Sequence, residues 1–295
     1  MLGVVNLDKP VGPTSHDMVG LMRRLTGIRR IGHAGTLDPL ASGVLPILVG
    51  AATRFSEELT GGKKRYEAVI RLGGTSATDD AEGPITLVDA QLPNESAVRA
   101  ALPRFVGTFE QRPPTFSARK HEGRIAHRAA RSGEPIEVPP RMVTVESIDL
   151  LDVVASADTV DVRIDLRCGA GTYVRSIARD LGELLGCGGY LASLRRTEAA
   201  GLRGDDAVAP GRLEELARAG RLAEAVLPVG DLLPLPRVVL SEEEGRRFQH
   251  GSTLPVSAEP SGRVAVFADR ALLGVGVVAA AILQPDKVLP PEPGP

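Results

Sequence analysis

The amino-acid sequence predicts an α+β fold built on a mixed, mainly antiparallel sheet. Two segments, 66–72 and 160–168, alternate between residues suited to a buried face and residues suited to an exposed face, which is typical of half-buried strands. A helical pattern follows the second segment. Strands and helices are mixed irregularly along the chain, whereas a parallel α/β fold requires them to alternate.

The first elements can be placed by their end signals. Residues 3–8 (GVVNLD) predict a short buried strand that ends in two proline-containing turn dipeptides. Thr14 is a suitable N-cap for a helix with an apolar stripe, and Gly27 ends that helix. The strand at 66–72 follows after a glycine-rich segment.

The later elements follow from the same signals. The strand at 160–168 carries apolar residues at even positions and charged residues between them. Thr172 begins a helix that ends in GCGG, and a further helical segment spans about 212–225. Ser241, followed by three glutamates, caps a short helix within a β-rich C-terminal region.

Length and composition favour a folded protein with two unequal domains. The chain has 295 residues, of which 43% are hydrophobic and 24% charged, and these values exclude wholesale disorder. A proline-rich linker at 227–237 separates a predicted catalytic domain, residues 1–228, from a small β-rich domain, residues 236–290.

The net charge of −2 hides a local concentration of basic residues. Four arginines and no acidic residue lie between Asp17 and Asp38. Residues 104–141 hold eight Lys or Arg against four Glu, have poor apolar periodicity and contain two Pro-Pro pairs. We interpret this segment as a basic insertion that leaves the core. Segregated positive charge of this kind is suited to a polyanionic partner.

Several classes of protein and site are disfavoured. The N-terminus lacks the pattern of a signal peptide and the uncharged runs are too short for a membrane span, so a cytoplasmic location is expected. Two cysteines, Cys168 and Cys187, are too few for a disulfide framework or a cysteine-rich zinc site. The five histidines show no convincing metal-ligand spacing, and no metal is expected.

The most unusual segment surrounds Asp38. In GHAGTLDPLASGVLPI, residues 32–47, three glycines frame this carboxylate and a proline follows it, so the loop can present it rigidly to a ligand. An isolated Asp-Pro pair more often only starts a turn. Two of the three tyrosines, Tyr66 and Tyr173, lie beside basic motif residues, and Arg175 can pair with a carboxylate through two hydrogen bonds.

Six ordered motifs carry a resemblance to a known family. They are KPVGPTSHD, GHAGTLDPLASGVLPI, KKRYEAVIRLG, QRPPTFSARKHEGR, CGAGTYVRSIARDLGELLGCGG and LRRT. Together they closely resemble the bacterial tRNA pseudouridine synthase B family, which isomerises uridine 55 in the T-loop of tRNA. The resemblance extends from about Gly3 to Arg203 and is looser beyond. Six ordered matches are far more specific than a single short motif.

The resemblance implies catalytic roles for three residues. Asp38 falls on the catalytic aspartate of the family, Arg175 on the arginine that pairs with it, and Tyr66 on the tyrosine that stacks on the target base and is a candidate for proton transfer. The aspartate could attack C1′, add to C6 or promote a glycal intermediate, and the sequence does not choose among these routes. The isomerisation is redox-neutral, and no cofactor is implied.

The resemblance also implies substrate contacts. Tyr173 and Leu194 match residues that line the pocket, and His33 matches a residue that occupies space left by extruded nucleotides. Lys9 and Lys64 are predicted contacts to the RNA backbone or supports of the pocket. A buried uridine must be extruded from its loop before its C1′ can be reached.

The implied partner is tRNA. The insertion at 104–141 matches a segment that folds over the T-arm, and the C-terminal domain resembles a degenerate PUA module that would contact the acceptor-stem side. No protein partner is implied, and a monomer is expected. The sequence departs from the family at His127, where tyrosine is usual, and at Gly169-Ala170, which replace Ser-Lys.

Two other functions compete with this interpretation. A non-catalytic tRNA-binding or folding protein would use the basic segments alone, with Asp38 as a turn residue. A glycoside hydrolase would need paired carboxylates. Asp79, Asp80 and Glu82 lie together, but in what we interpret as a polar strand connection.

Overall fold

The N-terminal part of the chain folds around a large sheet in the computed structural model, which describes residues 1–114, 120–121, 124–125 and 139–290. In chain order the strands are β1 (Gly3–Lys9), β2 (Ile31–His33), β3 (Ala41–Val49), β4 (Lys64–Leu72), β5 (Gly74–Ser76), β6 (Ile85–Leu87), β7 (Gly107–Gln111), β8 (Lys120–His121), β9 (Arg124–Ile125), β10 (Arg141–Ala155), β11 (Val160–Cys168), β12 (Gly189–Ala199), β13 (Leu202–Arg203), β14 (Val226–Leu227), β15 (Arg237–Leu240), β16 (Leu254–Pro255), β17 (Gly262–Ala268), β18 (Ala271–Ala279) and β19 (Ile282–Val288).

The α-helices lie between these strands. They are α1 (Ser15–Thr26), α2 (Ser56–Thr60), α3 (Glu95–Ala101), α4 (Val174–Leu184), α5 (Pro210–Arg218) and α6 (Glu242–Gln249). Short 3-10 helices span Gly50–Phe55, Leu102–Phe105, Gly204–Asp206, Leu222–Ala225 and Val229–Asp231.

The predicted fold class is confirmed. Ten of the described strands form one sheet, whose main path runs β14-β1-β3-β12-β4-β11-β10-β7, with β2 beside β3 and β13 beside β12. Every pairing in it is antiparallel except that of β12 with β3. The sheet is therefore mixed and mainly antiparallel. Most of the predicted basic insertion, including His127, lies outside the described residues.

Local signals predicted several element ends correctly, but the helix predicted at about 212–225 ends at Arg218, and a separate 3-10 helix spans Leu222–Ala225. The strand at 160–168 has the predicted bounds, and α1 begins directly after Thr14, which forms a capping box with Asp17. The predicted start at Thr172 is two residues early, because α4 begins at Val174. Tyr173 is the N-cap with an extended backbone: its N–H donates to the Gln111 side chain, and its C=O accepts from both that side chain and the Ile177 N–H.

Helix α4 lies directly on the central strand β12. A Cβ atom at Gly182 would come within 2.0 Å of the backbone nitrogen of Gly189, so only glycine permits this approach. The close contact fixes the distance between α4 and the sheet. Since the first turn of α4 carries Arg175, it also fixes the position of that side chain.

The C-terminal region forms the predicted small β-rich unit. Its five strands pair in the order β15-β17-β18-β19-β16, and α6 packs against them. A second apolar cluster joins this unit to the first, because Phe55 and Leu59 pack in the same cluster as Phe267 and Leu289. The linker contributes Leu233 to that cluster. The two units therefore share buried surface at α2.

Ion pairs reinforce this junction. The Glu58 side chain is 6% exposed and contacts Arg263 at 2.6 Å and Lys287 at 3.0 Å, both from the C-terminal unit. Its neighbour Glu57 also contacts Lys287, at 2.8 Å, but the Glu57 side chain is 84% exposed. A charge-assisted contact contributes more when water is excluded from it.

We expect Glu58→Gln to lower the free energy of unfolding by about 1–3 kcal/mol, since the variant leaves two cations at the junction without their buried carboxylate. Urea unfolding measures the loss. Glu57→Gln is the matched control and should leave the urea midpoint unchanged. Equal losses in the two variants would contradict the distinction between them.

Candidate active site

The Asp38 loop lies between β2 and β3, and its backbone is held from several sides. The Ser15 hydroxyl, at the start of α1, donates to the Leu37 carbonyl at 2.9 Å and accepts from the Leu37 N–H at 2.8 Å. The Gly12 N–H donates to the Pro39 carbonyl at 2.9 Å. These bonds fix the loop on both sides of Asp38, whose side chain is 41% exposed.

Lys9 supports the Asp38 loop from behind. Lys9 is 0% exposed. Its Nζ atom donates to the carbonyl oxygens of Ala41 at 2.6 Å, Pro10 at 2.7 Å and Pro39 at 3.4 Å. Burial lowers the pKa of this ammonium group. The sequence predicted Lys9 as an RNA-backbone contact or a support of the pocket, and the structure places it behind the loop, not among the residues that line the cavity.

Arg175 connects Asp38 to a second carboxylate. Its Nη2 atom lies 2.9 Å from Oδ2 of Asp38, and its Nη1 atom lies 3.4 Å from Oδ2 of Asp80. Nη1 also donates to the Thr78 carbonyl at 3.0 Å. The Arg175 and Asp80 side chains are 6% and 4% exposed. A largely buried guanidinium therefore orients the more accessible carboxylate of Asp38.

Gln111 fixes the start of α4. Its side-chain amide donates to the Tyr173 carbonyl at 3.1 Å and accepts from the Tyr173 N–H at 2.9 Å. The Ser176 hydroxyl donates to the Arg112 carbonyl at 2.8 Å. These contacts tie the first turn of α4, and with it Arg175, to the end of β7.

A cavity of about 300 Å³ opens in front of Asp38. Six of the eight predicted site residues line it, namely Asp38, Lys64, Tyr66, Tyr173, Arg175 and Leu194. The carboxylate thus faces a space bounded by two aromatic rings and an aliphatic side chain. This arrangement can hold a flat ring beside an oriented carboxylate, which can act as a nucleophile or in proton transfer.

Tyr66 and Tyr173 differ in their surroundings. Tyr66 is 7% exposed, and burial raises the pKa of its hydroxyl group. Arg196 is 1% exposed and lies opposite Tyr66 on the neighbouring strand, where its positive charge opposes this rise in pKa. Tyr173 is half-buried, and the guanidinium carbon of Arg141 lies 4.8 Å from the centre of its ring.

Lys64 lies at the rim of the cavity as a partly buried cation. Its Nζ atom donates to the carbonyl oxygens of Thr60 at 2.7 Å and Gly62 at 2.6 Å. Burial, followed by the charge of Arg196, lowers its pKa to about 8. The positive charge of Lys64 is therefore lost over a pH range in which a lysine of ordinary pKa keeps its charge.

His33 is the second predicted residue that does not line the cavity. It lies at the end of β2, opposite Ile47. Burial and the charge of Arg196 lower its pKa, so its imidazole is neutral at neutral pH. Its Nδ1 atom is buried and has no hydrogen-bond partner among the described residues.

Sequence reasoning missed three residues that support the site. Asp80 was assigned to a polar strand connection, and the turn is present, but the Asp80 carboxylate reaches Arg175. Nothing in the segment distinguishes Asp80 from its acidic neighbours. Gln111 is the first residue of the QRPPTFSARKHEGR motif, but the motif assigned no role to it. Arg196 stood in the LRRT motif, but arginine in a strand is more often an exposed residue.

We expect Lys64 to titrate near pH 8 in the folded protein, against ~10.4 for an unperturbed lysine. A ¹³Cε NMR titration measures it, with Lys64→Arg to assign the signal. Between these two values the unfolded chain holds a proton that the folded chain lacks. The Lys64 contribution to the free energy of unfolding therefore rises with pH over that window. A midpoint near 10.4 would contradict this environment.

No three His, Cys, Asp or Glu residues within the described part of the chain are grouped so that they could hold a metal ion. None of the helices in the described ranges is long and apolar enough to cross a membrane.

Known proteins resemble this chain over nearly its whole length. The "tRNA pseudouridine synthase B" of Dechloromonas aromatica is 45% identical over 278 residues, covering 93% of this chain and 90% of the relative. That of Ralstonia nicotianae is 42% identical over 297 residues, covering 97% and 94%. A solved Cbf5-Nop10-Gar1 complex contains a chain that matches with a TM-score of 0.73 and 25% identity, covering 98% of this chain and 85% of that one.

Family models divide the chain into three consecutive matches. Residues 23–174 match "TruB family pseudouridylate synthase (N terminal domain)", and residues 175–234 match "tRNA pseudouridylate synthase B C-terminal domain". Residues 236–289 match "Pseudouridine synthase II TruB, C-terminal". The first match alone covers more than half of the chain and contains Asp38 and Tyr66. The chain belongs to the TruB family of pseudouridine synthases.

Proposed function

We propose that this protein is a tRNA pseudouridine synthase that isomerises uridine 55 in the T-loop, with Asp38 as the catalytic nucleophile. The contact of 2.9 Å between Asp38 and Arg175, at the mouth of a cavity lined by Tyr66 and Tyr173, is the observation that carries the proposal. The relatives named tRNA pseudouridine synthase B support the substrate class.

The reaction moves the base from one of its atoms to another. The N1–C1′ bond breaks, the base rotates, a C5–C1′ bond forms, the proton on C5 is lost and N1 gains a proton. The product has the same atoms as the substrate, and no oxidant or reductant is needed. Asp38 attacks C1′, adds to C6, or promotes a glycal, and each route needs an ionised and oriented carboxylate.

Each charged group has a role in this scheme. Arg175 keeps Asp38 aimed at the nucleotide, and a guanidinium is suited to this task because it holds a carboxylate in a fixed plane. Tyr66 stacks on the base and takes part in proton transfer. Tyr173 and Leu194 complete the walls that hold the base while it is detached from the ribose.

The cavity accepts one nucleotide and not a helical stem. Its volume of about 300 Å³ lies at the lower end of the ~300–1,000 Å³ typical of ligand pockets. The target uridine must therefore leave its stack to reach Asp38. We assign Lys64 to phosphate contacts at the rim, His33 to the space left by extruded bases, and Lys9 to support of the loop.

The other parts of the chain extend the contact with tRNA. We assign the basic insertion at 104–141 to the T-arm and the C-terminal unit, as a PUA-like module, to the acceptor-stem side. The proposal places the protein in the cytoplasm as a monomer that needs no cofactor or protein partner. A tRNA-binding or folding protein without catalysis is the alternative, and the first experiment below distinguishes the two.

Wild-type protein should release tritium from an unmodified T-arm RNA labelled at C5 of uridine, whereas Asp38→Asn should lose at least ~10³-fold of that rate, because the amide is not a nucleophile. Filter binding should show that the variant keeps its RNA affinity. Binding by the wild type without release would favour the non-catalytic alternative. Release that survives in Asp38→Asn would remove Asp38 from the nucleophile role.

Arg175→Lys should slow turnover by about 100-fold or more with RNA affinity retained, because an ammonium group cannot hold Asp38 and Asp80 in one plane. Arg179→Lys is the matched control. Arg179 lies one turn later on α4 and pairs with Asp79 and Asp180 instead of Asp38. Single-turnover rates measure both. Equal losses of rate and affinity in Arg175→Lys would count against the orienting role.

A further inference from the structure

We propose that Gln111 and Arg141 are positioning residues that together form a clamp on Tyr173, one of the two aromatic walls of the cavity. The inference rests on the proposed function, because it assumes that the Tyr173 ring holds the base of the target nucleotide. The proposed reaction itself gives neither residue of the clamp a role.

The sheet brings the two residues of the clamp together. Gln111 is the last residue of β7 and Arg141 is the first residue of β10, and the antiparallel register places them directly opposite each other. Residues 112–140, which contain most of the basic insertion, lie between them along the chain. The two strand ends from which this segment departs and to which it returns are therefore the ones that contact the cavity wall.

Gln111 holds the backbone of Tyr173. Its side-chain nitrogen donates to the Tyr173 carbonyl at 3.1 Å, and its side-chain oxygen accepts from the Tyr173 N–H at 2.9 Å. Gln111 is 1% exposed, so water does not compete for these bonds. One buried amide thus supplies a donor and an acceptor to the same residue, which fixes both the position and the orientation of that residue's backbone.

Helix α4 explains why Tyr173 needs support from another strand. Tyr173 is the N-cap of this helix, and its side chain makes no capping hydrogen bond. Ser, Thr, Asp and Asn are the residues that stabilise a helix at this position. The chain has instead a tyrosine whose ring lines the cavity. A departure from local preference of this kind is expected where the side chain serves the site.

Arg141 holds the ring of Tyr173. Its guanidinium carbon lies 4.8 Å from the centre of the ring, a distance at which a cation is attracted to the aromatic face. The guanidinium also lies against Gly171, where a Cβ atom would come within 2.9 Å of the same carbon. Glycine therefore leaves the space that the guanidinium occupies beside the ring. Arg141 packs the ring from one side and limits the rotamers that Tyr173 can adopt.

The clamp acts on the base and on the carboxylate together. Gln111 fixes the backbone of Tyr173, and Arg141 fixes its ring, so the wall that holds the base has one position. Arg175 follows two residues later in the first turn of α4 and contacts Asp38 at 2.9 Å. A shift of the Tyr173 backbone would therefore displace the base and its catalytic carboxylate relative to each other. Small displacements of reacting groups cost rate while leaving most of the binding contacts intact.

The first test compares Gln111→Met with Gln91→Met in single-turnover rate and in affinity for T-arm RNA. Methionine keeps the length of the side chain and removes the amide that holds Tyr173. We expect Gln111→Met to slow the reaction by about 100-fold while affinity stays within about twofold. Gln91 is exposed between β6 and α3, and its variant should change neither quantity by more than about twofold. An unchanged rate in Gln111→Met, or a joint loss of cooperative unfolding, affinity and rate, would overturn the proposal.

The second test separates an action of Arg141 through Tyr173 from a direct contact with RNA. Arg141→Met keeps an apolar contact with the ring and removes the planar cation. It should slow turnover by about tenfold in the wild type but by no more than about twofold in a Tyr173→Leu background, where the ring is absent. Affinity and its dependence on salt should stay unchanged. Equal costs in the two backgrounds, or a salt slope smaller by about one, would make Arg141 a phosphate contact and overturn its positioning role.

NMR of the tyrosine rings tests the clamp without RNA or turnover. The protein has three tyrosines, and Tyr173→Phe assigns the ring signals of interest. Gln111→Met and Arg141→Met should each shift the Tyr173 signals, whereas those of Tyr190, which is buried elsewhere, should stay in place. Unshifted Tyr173 signals in both variants would overturn the proposal. A wild-type protein that binds RNA without reacting would refute the proposed function, and the ring signals would still decide on the clamp, so the two failures can be distinguished.

Discussion

The geometry of the site depends on buried cations that bind backbone carbonyl groups. Lys9 holds the segment after Asp38, and Arg196 holds both ends of the same loop. A carbonyl oxygen is a permanent acceptor whose position is set by the main chain, so these bonds do not depend on the rotamer of a second side chain. The loop can therefore stay rigid while its one acidic side chain remains partly open to solvent.

Helix α2 links the site to the C-terminal unit. Lys64 bonds to the carbonyl groups of Thr60, the last residue of the helix that carries Glu58, and of Gly62, just after that helix. Glu58 in turn receives Arg263 and Lys287 from the C-terminal unit. One short helix thus has a domain junction on one side and the cavity rim on the other. The residues of α2 and the turn after it therefore hold both the C-terminal unit and the Lys64 side chain in place.

The sequence predicted the elements well where a local signal exists and failed where a residue depends on distant partners. Residues 160–168 alternate because one face of β11 is buried, and their bounds were predicted correctly. The glycines within its own loop drew attention to Asp38, and the family resemblance implied its catalytic role. The burial of Lys9 and the contact of Asp80 with Arg175 depend on segments far apart in the chain. Local patterns carry no information about such contacts, and a family motif marks a residue without stating what it touches.

The scarcity of aromatic residues has a spectroscopic consequence. The protein has no tryptophan, so its near-ultraviolet emission comes from three tyrosines. Tyr66 and Tyr173 face the cavity, and Tyr190 is buried in the sheet as an internal reference. We expect a ligand ring in the cavity to change the emission of the first two tyrosines and not that of Tyr190, which does not line it. The unlabelled protein is therefore its own fluorescent probe for occupancy of the cavity.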